Sequence, residues 1–97
     1  MALAVLSQPR FRAGQLVMTA GVNDLVQRGA LNPVPYLGRH LDGDWGDLCD
    51  EDRRSNDAAL KNGDRLFSSY RITPELKLWI ITEWDRSVTT LLLPDEY

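Results

Sequence analysis

The sequence contains a single cysteine, Cys49, and a single histidine, His40. One cysteine excludes both an intramolecular disulfide and a zinc site built from cysteines. The two residues lie nine positions apart and could meet across a loop, but no oxyanion-hole motif accompanies them. We therefore predict no catalytic residues. We interpret His40 as a structural residue that hydrogen-bonds a single carbonyl, and we place Cys49 near the start of a helix.

Long hydrophobic runs and phosphate-binding motifs are also missing. No stretch approaches the roughly 18 apolar residues of a transmembrane helix, and the N-terminal MALAVL is too short for the apolar core of a signal peptide. The segment GDWGD lacks the Lys-Ser/Thr pair of a P-loop and follows no predicted strand. These absences predict a cytoplasmic protein of bacterial type with no membrane segment and no cofactor.

A calcium loop is suggested by DGDWGDLCDEDR, residues 42–53, because this stretch is rich in carboxylates. An EF-hand loop requires oxygen ligands at its first, third and fifth positions, glycine at the sixth and glutamate at the twelfth. The fifth, sixth and twelfth positions here are Gly46, Asp47 and Arg53, so the pattern fails at each of them. We predict no metal site, with a looser magnesium site among these carboxylates as the alternative.

The composition is that of one globular domain, with 97 residues of which 43% are hydrophobic and 26% are charged. We predict a single small α+β domain spanning residues 1–97. Residues 1–13 carry two basic residues, no acidic residue and no clear period. They are expected to form either a loose arm or a short edge strand.

The hydrophobic pattern predicts short helices followed by a β-sheet. QLVMTAG is β-capable, and VNDLVQRG and NPVPYLGRHLDG are typical of two short helices. A better helix covers residues 50–62, where acidic residues crowd the first turn and Gly63 follows the last. From Arg65 the period changes to two, and RLFSSYRI, LKLWIITEW and SVTTLLL predict three strands joined by tight turns. The predicted fold is α+β, with short N-terminal helices packed on a three- to four-stranded antiparallel β-sheet.

The middle strand of this sheet carries large apolar residues on both faces. Helices are therefore expected to cover one face of the sheet. A small cluster, a protein partner or a second copy of the chain in a homodimer would cover the other face.

The acidic residues are segregated along the chain. Only Arg53 and Arg54 oppose the acids between positions 42 and 57, so the local charge is −5 in a chain of net charge −3. Seven of the fourteen acids lie there: Asp42, Asp44, Asp47, Asp50, Glu51, Asp52 and Asp57. An acidic surface on a nearly neutral body favours a protein partner with a basic surface, and it disfavours direct nucleic-acid binding.

Trp45 lies at the head of this acidic segment, and two interpretations stay open. It either folds over the sheet as a core residue between flanking glycines, or forms an exposed anchor ringed by acids. The predicted partner-binding residues are Asp42, Asp44, Trp45, Asp47, Asp50, Glu51 and Asp52.

A second polar stretch, TEWDRSVTT, covers residues 82–90 and contains Glu83, Asp85 and Arg86 at a hairpin turn. Its simplest interpretation is a turn with a local Asp–Arg pair, which contributes less than about 1 kcal/mol. Alternatively, these three residues form a secondary polar edge for binding.

The motifs GDWGDL, ND-AL-NGDRL-S-Y and WIITEWDRSVTT-LLP-EY resemble those of a family of small uncharacterised bacterial proteins carried by plasmids, prophages and other mobile elements. The resemblance covers roughly residues 15–97 and is most specific at residues 43–47 and 79–90. It implies a role beside mobile DNA without supplying a mechanism. Small acidic proteins of such elements often inhibit host defence by occupying basic nucleic-acid channels, as anti-CRISPR and antirestriction proteins do.

The resemblance and the charge pattern together predict a stoichiometric inhibitor that binds a basic surface of a Cas or restriction subunit. One alternative is a small metal- or ligand-binding accessory enzyme that uses Asp44, Asp47 and Glu83. Another alternative is a plasmid maintenance protein that binds a second small protein.

Overall fold

A computed structural model describes residues 9–97 of the chain. The helices and strands follow one another as β1 Gln15–Met18, α1 Ala20–Gln27, α2 Val34–Leu41, α3 Asp50–Asn62, β2 Leu66–Thr73, β3 Leu76–Thr82, β4 Val88–Leu92 and a final 3-10 turn, Pro94–Glu96. The α+β class and the predicted order of helices and strands are confirmed. None of the helices within residues 9–97 is long and apolar enough to cross a bilayer.

The N-terminal prediction concerns residues 1–13, of which residues 1–8 lie outside the described range. Residues 9–13 form no strand. Two hydrogen bonds hold them against the domain: the Arg10 N–H donates to the Leu41 carbonyl at 2.8 Å, and the Ala13 carbonyl accepts from Thr89 Oγ1 at 2.7 Å. This part of the segment is therefore an attached, irregular chain.

The sheet has four strands in the order β1-β4-β3-β2. Strands β2, β3 and β4 form the predicted antiparallel meander. The first strand instead pairs with β4 in parallel, so the sheet is mixed and the prediction of a purely antiparallel sheet is wrong at β1. The reason lies in the long connection between β1 and the meander, which contains all three helices. A parallel neighbour needs such a long crossover.

The helix ends follow the local sequence. Thr19 caps α1 by accepting a hydrogen bond from the Val22 N–H. Helix α3 begins after Cys49 with three acidic residues in its first turn, which interact favourably with the positive end of the helix dipole. Gly63 ends it in the left-handed conformation at φ 75°, which glycine adopts without strain. The predicted bounds of this helix, 50–62, are confirmed.

Two hydrophobic clusters lie on the helix-covered face of the sheet. The larger consists of Val22, Leu31, Tyr70, Leu78, Ile80 and Leu91 and joins α1 to the centre of the sheet. The smaller consists of Trp45, Ala59 and Leu66 and joins α3 to the start of β2.

The opposite face of the sheet carries an aromatic cluster, and no helix within residues 9–97 contributes to it. The Trp79 ring meets Phe67 at 5.0 Å and Tyr97 at 5.9 Å, both edge to face. An open cavity of about 390 Å³ lies between these rings, Arg65 and Ile81. Of the expected alternatives, a small cluster accounts for the part of this face around Trp79.

Candidate partner-binding surface

Trp45 is a core residue. Its side chain is 4% exposed and packs with Ala59 and Leu66, while its indole N–H donates to Asp57 Oδ1 at 3.0 Å. The next residue, Gly46, crosses the β2 edge so closely that a Cβ would lie 2.1 Å from the Ser69 carbonyl oxygen. The interpretation of Trp45 as an exposed anchor is therefore wrong, because burial leaves no ring surface for a partner.

The carboxylate of Asp44 is used within the domain. Arg39 donates to its two oxygens at 2.7 and 3.4 Å, and the Gly46 N–H donates to it at 3.1 Å. These contacts, the arginine hydrogen bond foremost, hold the pKa of Asp44 below its ordinary value. The Arg39 guanidinium also lies 4.7 Å from the centre of the Tyr70 ring, and the Tyr70 hydroxyl donates to the Asp44 carbonyl at 2.5 Å. Asp44 thus fastens α2 to β2.

Asp47 has a similar structural role at the next turn of the loop. Its Oδ2 accepts from the Arg71 N–H at 2.7 Å, on the outer edge of β2. Two predicted partner-binding residues, Asp44 and Asp47, are therefore part of the scaffold, and a partner would have to compete with these hydrogen bonds.

The first turn of α3 has the opposite character. Asp50, Glu51 and Asp52 are exposed, and they make no side-chain hydrogen bond or ion pair with any other residue in the range 9–97. We call these three residues the acidic turn. The nearby base Arg53 does not neutralise them by pairing, because its guanidinium turns back to the carbonyls of Gly46 at 2.8 Å and Leu48 at 2.9 Å.

Asp42 lies in a different setting from the acidic turn. It is exposed at the C-terminal end of α2. The Arg10 side chain lies beside the next residue, Gly43, within 3.1 Å of where a Cβ would stand. Asp42 is separated from the acidic turn along the chain, so Asp50, Glu51 and Asp52 are the contiguous group of exposed acids in this segment.

The predicted secondary edge at the β3–β4 turn is divided between structural and exposed residues. Arg86 adopts φ 60° and donates to the carbonyls of Asp64 at 2.6 Å, Glu83 at 3.1 Å and Ala59 at 3.2 Å. It thus adds a hydrogen bond to the Ala59 carbonyl in the last turn of α3 and holds the β3–β4 turn against that helix.

The predicted Asp85–Arg86 pair is wrong. Asp85 instead accepts from the Ser87 N–H at 3.1 Å and the Ser87 hydroxyl at 2.6 Å, which lowers its pKa. Glu83 approaches Arg65 at 4.0 Å. Arg86 is therefore occupied by the scaffold and cannot serve in the proposed binding edge.

A buried polar chain lies between α2 and the sheet, and the sequence analysis missed it. His40 is fully buried, with Nδ1 2.6 Å from Ser68 Oγ and Nε2 2.9 Å from Thr82 Oγ1. Thr82 Oγ1 lies 2.8 Å from Thr89 Oγ1, which donates to the Ala13 carbonyl. The expected single carbonyl partner of His40 is thus replaced by two hydroxyls. The signal in the sequence was three small hydroxyl residues at core-facing positions of consecutive strands.

The hydrogen bonds among the buried polar side chains determine which ring nitrogen of His40 carries the proton. The Ala13 carbonyl can only accept, so the Thr89 hydroxyl donates to it and accepts from Thr82. The Thr82 hydroxyl then accepts from His40 Nε2–H, and His40 Nδ1 accepts from Ser68. Burial, assisted by the charge of Arg86, lowers the pKa of His40 from 6.5 to about 3. His40 is therefore a neutral structural residue at physiological pH.

No arrangement suited to metal binding occurs within residues 9–97, where no three His, Cys, Asp or Glu side chains converge. Cys49 is exposed at the N-cap position of α3, and it does not contact the buried His40 through any hydrogen bond in this range. Of the predicted partner-binding residues, Asp50, Glu51 and Asp52 therefore form a contiguous exposed group with no side-chain hydrogen bond or ion pair within residues 9–97. Comparison of the chain with protein-family models, with curated proteins and with solved structures found no match.

Proposed function

We propose that this protein is a non-catalytic interaction domain that binds a basic protein surface through the acidic turn, Asp50, Glu51 and Asp52. In the most specific form of the proposal, it is a stoichiometric inhibitor encoded by a mobile element. Its target is then a Cas or restriction subunit, whose nucleic-acid channel is lined by lysine and arginine.

The observation that supports this proposal is that only some of the acids of residues 42–57 are hydrogen-bonded within the domain. Asp44, Asp47 and Asp57 accept hydrogen bonds that hold the loop and Trp45 in place, whereas the three carboxylates of the acidic turn accept none within the described range. Free carboxylates clustered on one turn attract a basic surface during encounter and pair with its arginines in the complex.

Rigidity of the supporting helix makes the surface suitable for binding. The Asn56 side-chain amide makes two hydrogen bonds with the β2 backbone, and Arg86 holds the other end of α3. A helix fixed at both its middle and its end loses little conformational entropy when a partner binds its first turn.

The test is affinity capture from bacteria that carry defence systems, with three forms of the tagged protein as bait. The first form is the wild type and the second is the neutralised variant Asp50→Asn, Glu51→Gln, Asp52→Asn. The third is a matched control that neutralises three exposed acids elsewhere: Asp24→Asn, Glu75→Gln and Asp95→Asn.

We expect the wild type and the control to capture the same nuclease subunit and to inhibit its cleavage of DNA in stoichiometric amounts. The neutralised variant should lose at least tenfold in affinity, since each charge-assisted hydrogen bond contributes roughly 1.5–3 kcal/mol. Equal capture by all three forms would contradict the assignment of the site to the acidic turn. Capture of a nuclease that cleaves at an unchanged rate would contradict the inhibitor role.

A further inference from the structure

The two edges of the sheet differ in how far other parts of the described structure cover them. The outer edge of β2 is occupied: Asn56 bonds both backbone groups of Phe67, and the loop at residues 45–47 bonds those of Ser69. The outer edge of β1 has no such cover among the described residues. Its apolar side chains are exposed by 52% at Leu16, 38% at Val17 and 40% at Met18.

Strand β1 also lacks the features that prevent one sheet edge from pairing with another. It contains no charged residue, no proline and no bulge. An uncharged, apolar strand with a free edge is the structure that pairs with another strand most readily.

The register of β1 shows which backbone groups face outward. The Gln15 N–H donates to the Ser87 carbonyl and the Thr19 N–H to the Leu91 carbonyl. Because bonding residues alternate in a parallel pair, Gln15, Val17 and Thr19 direct their backbone groups toward β4. Leu16 and Met18 therefore present their N–H and C=O groups at the open edge.

These groups are self-complementary. If a second β1 runs antiparallel with Val17 opposite its own copy, Leu16 stands opposite Met18 of the partner strand on both sides of the two-fold axis. All four outward groups of each strand then pair, and the two valines form the closely spaced pair without hydrogen bonds, with Cα atoms about 4.5 Å apart. Any other antiparallel register pairs fewer of these groups.

Charge favours the same orientation. Arg10 and Arg12 precede β1, whereas Glu96 accepts hydrogen bonds from Thr19 and Gly21 just after it. An antiparallel partner brings the basic start of one β1 toward the Glu96 end of the other.

We propose that two copies of this chain pair through β1, antiparallel and centred on Val17, to form one continuous eight-stranded sheet. The proposal is independent of the acidic turn, which lies on α3. A closed two-fold pair uses both open edges and leaves no free edge of β1 for further association.

The first test is the molar mass in solution, measured by light scattering over a wide range of protein concentration. The wild type should approach twice the 11.0 kDa of one chain. Val17→Lys and Val17→Glu should each be monomeric, since like charges then meet at the two-fold axis, and an equimolar mixture of the two should restore the dimer. Val34→Lys, at a 70%-exposed position on α2, is the matched control and should dimerise like the wild type.

The second test is oxidation of the variant V17C in a background that carries C49S. Its two sulfur atoms should form an intermolecular disulfide, because Cα atoms about 4.5 Å apart suit that bond. The variant Q15C lies on the same face but about 13 Å from its own copy in this register, given a rise of about 3.3 Å per residue. Q15C should form no intermolecular disulfide and should therefore run as a single chain on a non-reducing denaturing gel.

A wild type that stays monomeric at every concentration would overturn the proposal, as would cross-linking of Q15C at the rate of V17C. Dimerisation that appears only after removal of residues 1–8 would also overturn it. That result would mean that these residues block the β1 edge in the full chain.

Discussion

His40 links helix α2 to three strands of the sheet. It sits on α2, bonds Ser68 of β2 and Thr82 of β3, and reaches β4 through Thr89. Its ring also contacts Phe11 and Trp45 edge to face, at 5.3 and 5.7 Å. A fully satisfied polar chain in an aromatic environment favours one packing arrangement, because any shift leaves a buried donor or acceptor without a partner.

The depressed pKa of His40 predicts a pH-dependent stability. Between pH 6.5 and about 3 the unfolded chain binds a proton at His40 and the folded chain does not. The free energy of unfolding should therefore fall as the pH drops below 6.5, by at most about 1.4 kcal/mol per pH unit. Urea denaturation at a series of pH values between 7.5 and 4.5 measures how the free energy of unfolding changes with pH.

His40→Gln is the control for this prediction, because glutamine does not titrate. Carboxylates with lowered pKa values, such as Asp44 and Glu96, also reduce stability in acid, so the slope assigned to His40 is the difference between wild type and variant. Parallel curves for the two proteins between pH 6.5 and 5 would contradict a neutral, buried His40.

At the residue scale, the sequence shows which side chains are acidic or aromatic but not which of them are used within the fold. Asp47 and Asp50 look alike in sequence, since both are acids near the start of a helix. The difference comes from Arg71, a residue 24 positions away whose backbone N–H binds Asp47. Trp45 shows the same limit, because its burial depends on Leu66 and Ala59, which become neighbours only after α3 docks on β2.

At the scale of helices and strands, α3 serves as the cover of the β2 edge. Asn56 accepts from the Phe67 N–H at 3.1 Å and donates to the Phe67 carbonyl at 2.6 Å, which copies the pairing of a neighbouring strand. The side-chain amide thus satisfies two backbone groups and prevents β2 from pairing with another sheet.

We predict that Asn56→Ala lowers the free energy of unfolding by about 1–3 kcal/mol, since two partly buried backbone groups lose their partner. The neighbouring exposed residue provides the control, because Ser55→Ala should change stability by less than about 0.5 kcal/mol. Hydrogen exchange should show faster exchange at the Phe67 amide in the Asn56 variant alone. Unchanged protection of that amide would show that α3 does not cover the edge.

The strands with a period of two and the charged, glycine-terminated α3 were predictable because local pattern determines them. The parallel placement of β1 was not, since QLVM carries no information about the direction of its neighbour. That direction depends on where three intervening helices place the chain, which is a long-range property of the fold.

At the scale of the whole molecule, charge and apolar surface lie on separate parts of the fold. The acidic turn is on α3, while the exposed apolar residues of β1 lie on the far edge of the sheet from β2, which α3 covers. In the proposed dimer, pairing at the β1 edge therefore leaves the acidic turn of each copy exposed. The net charge of −3 adds a weak attraction for basic partners from every direction.

The most direct test of the proposed function is the salt dependence of the dissociation constant for the captured partner, measured for wild type and neutralised variant. If the acidic turn carries the binding energy, wild-type affinity should fall steeply as ionic strength rises, because the contact charges are exposed and screened within about 10 Å at 0.1 M salt. The neutralised variant should bind more weakly at low salt and converge with the wild type at high salt. Wild-type affinity that is independent of salt, and equal to that of the variant, would contradict an electrostatic interface at Asp50, Glu51 and Asp52.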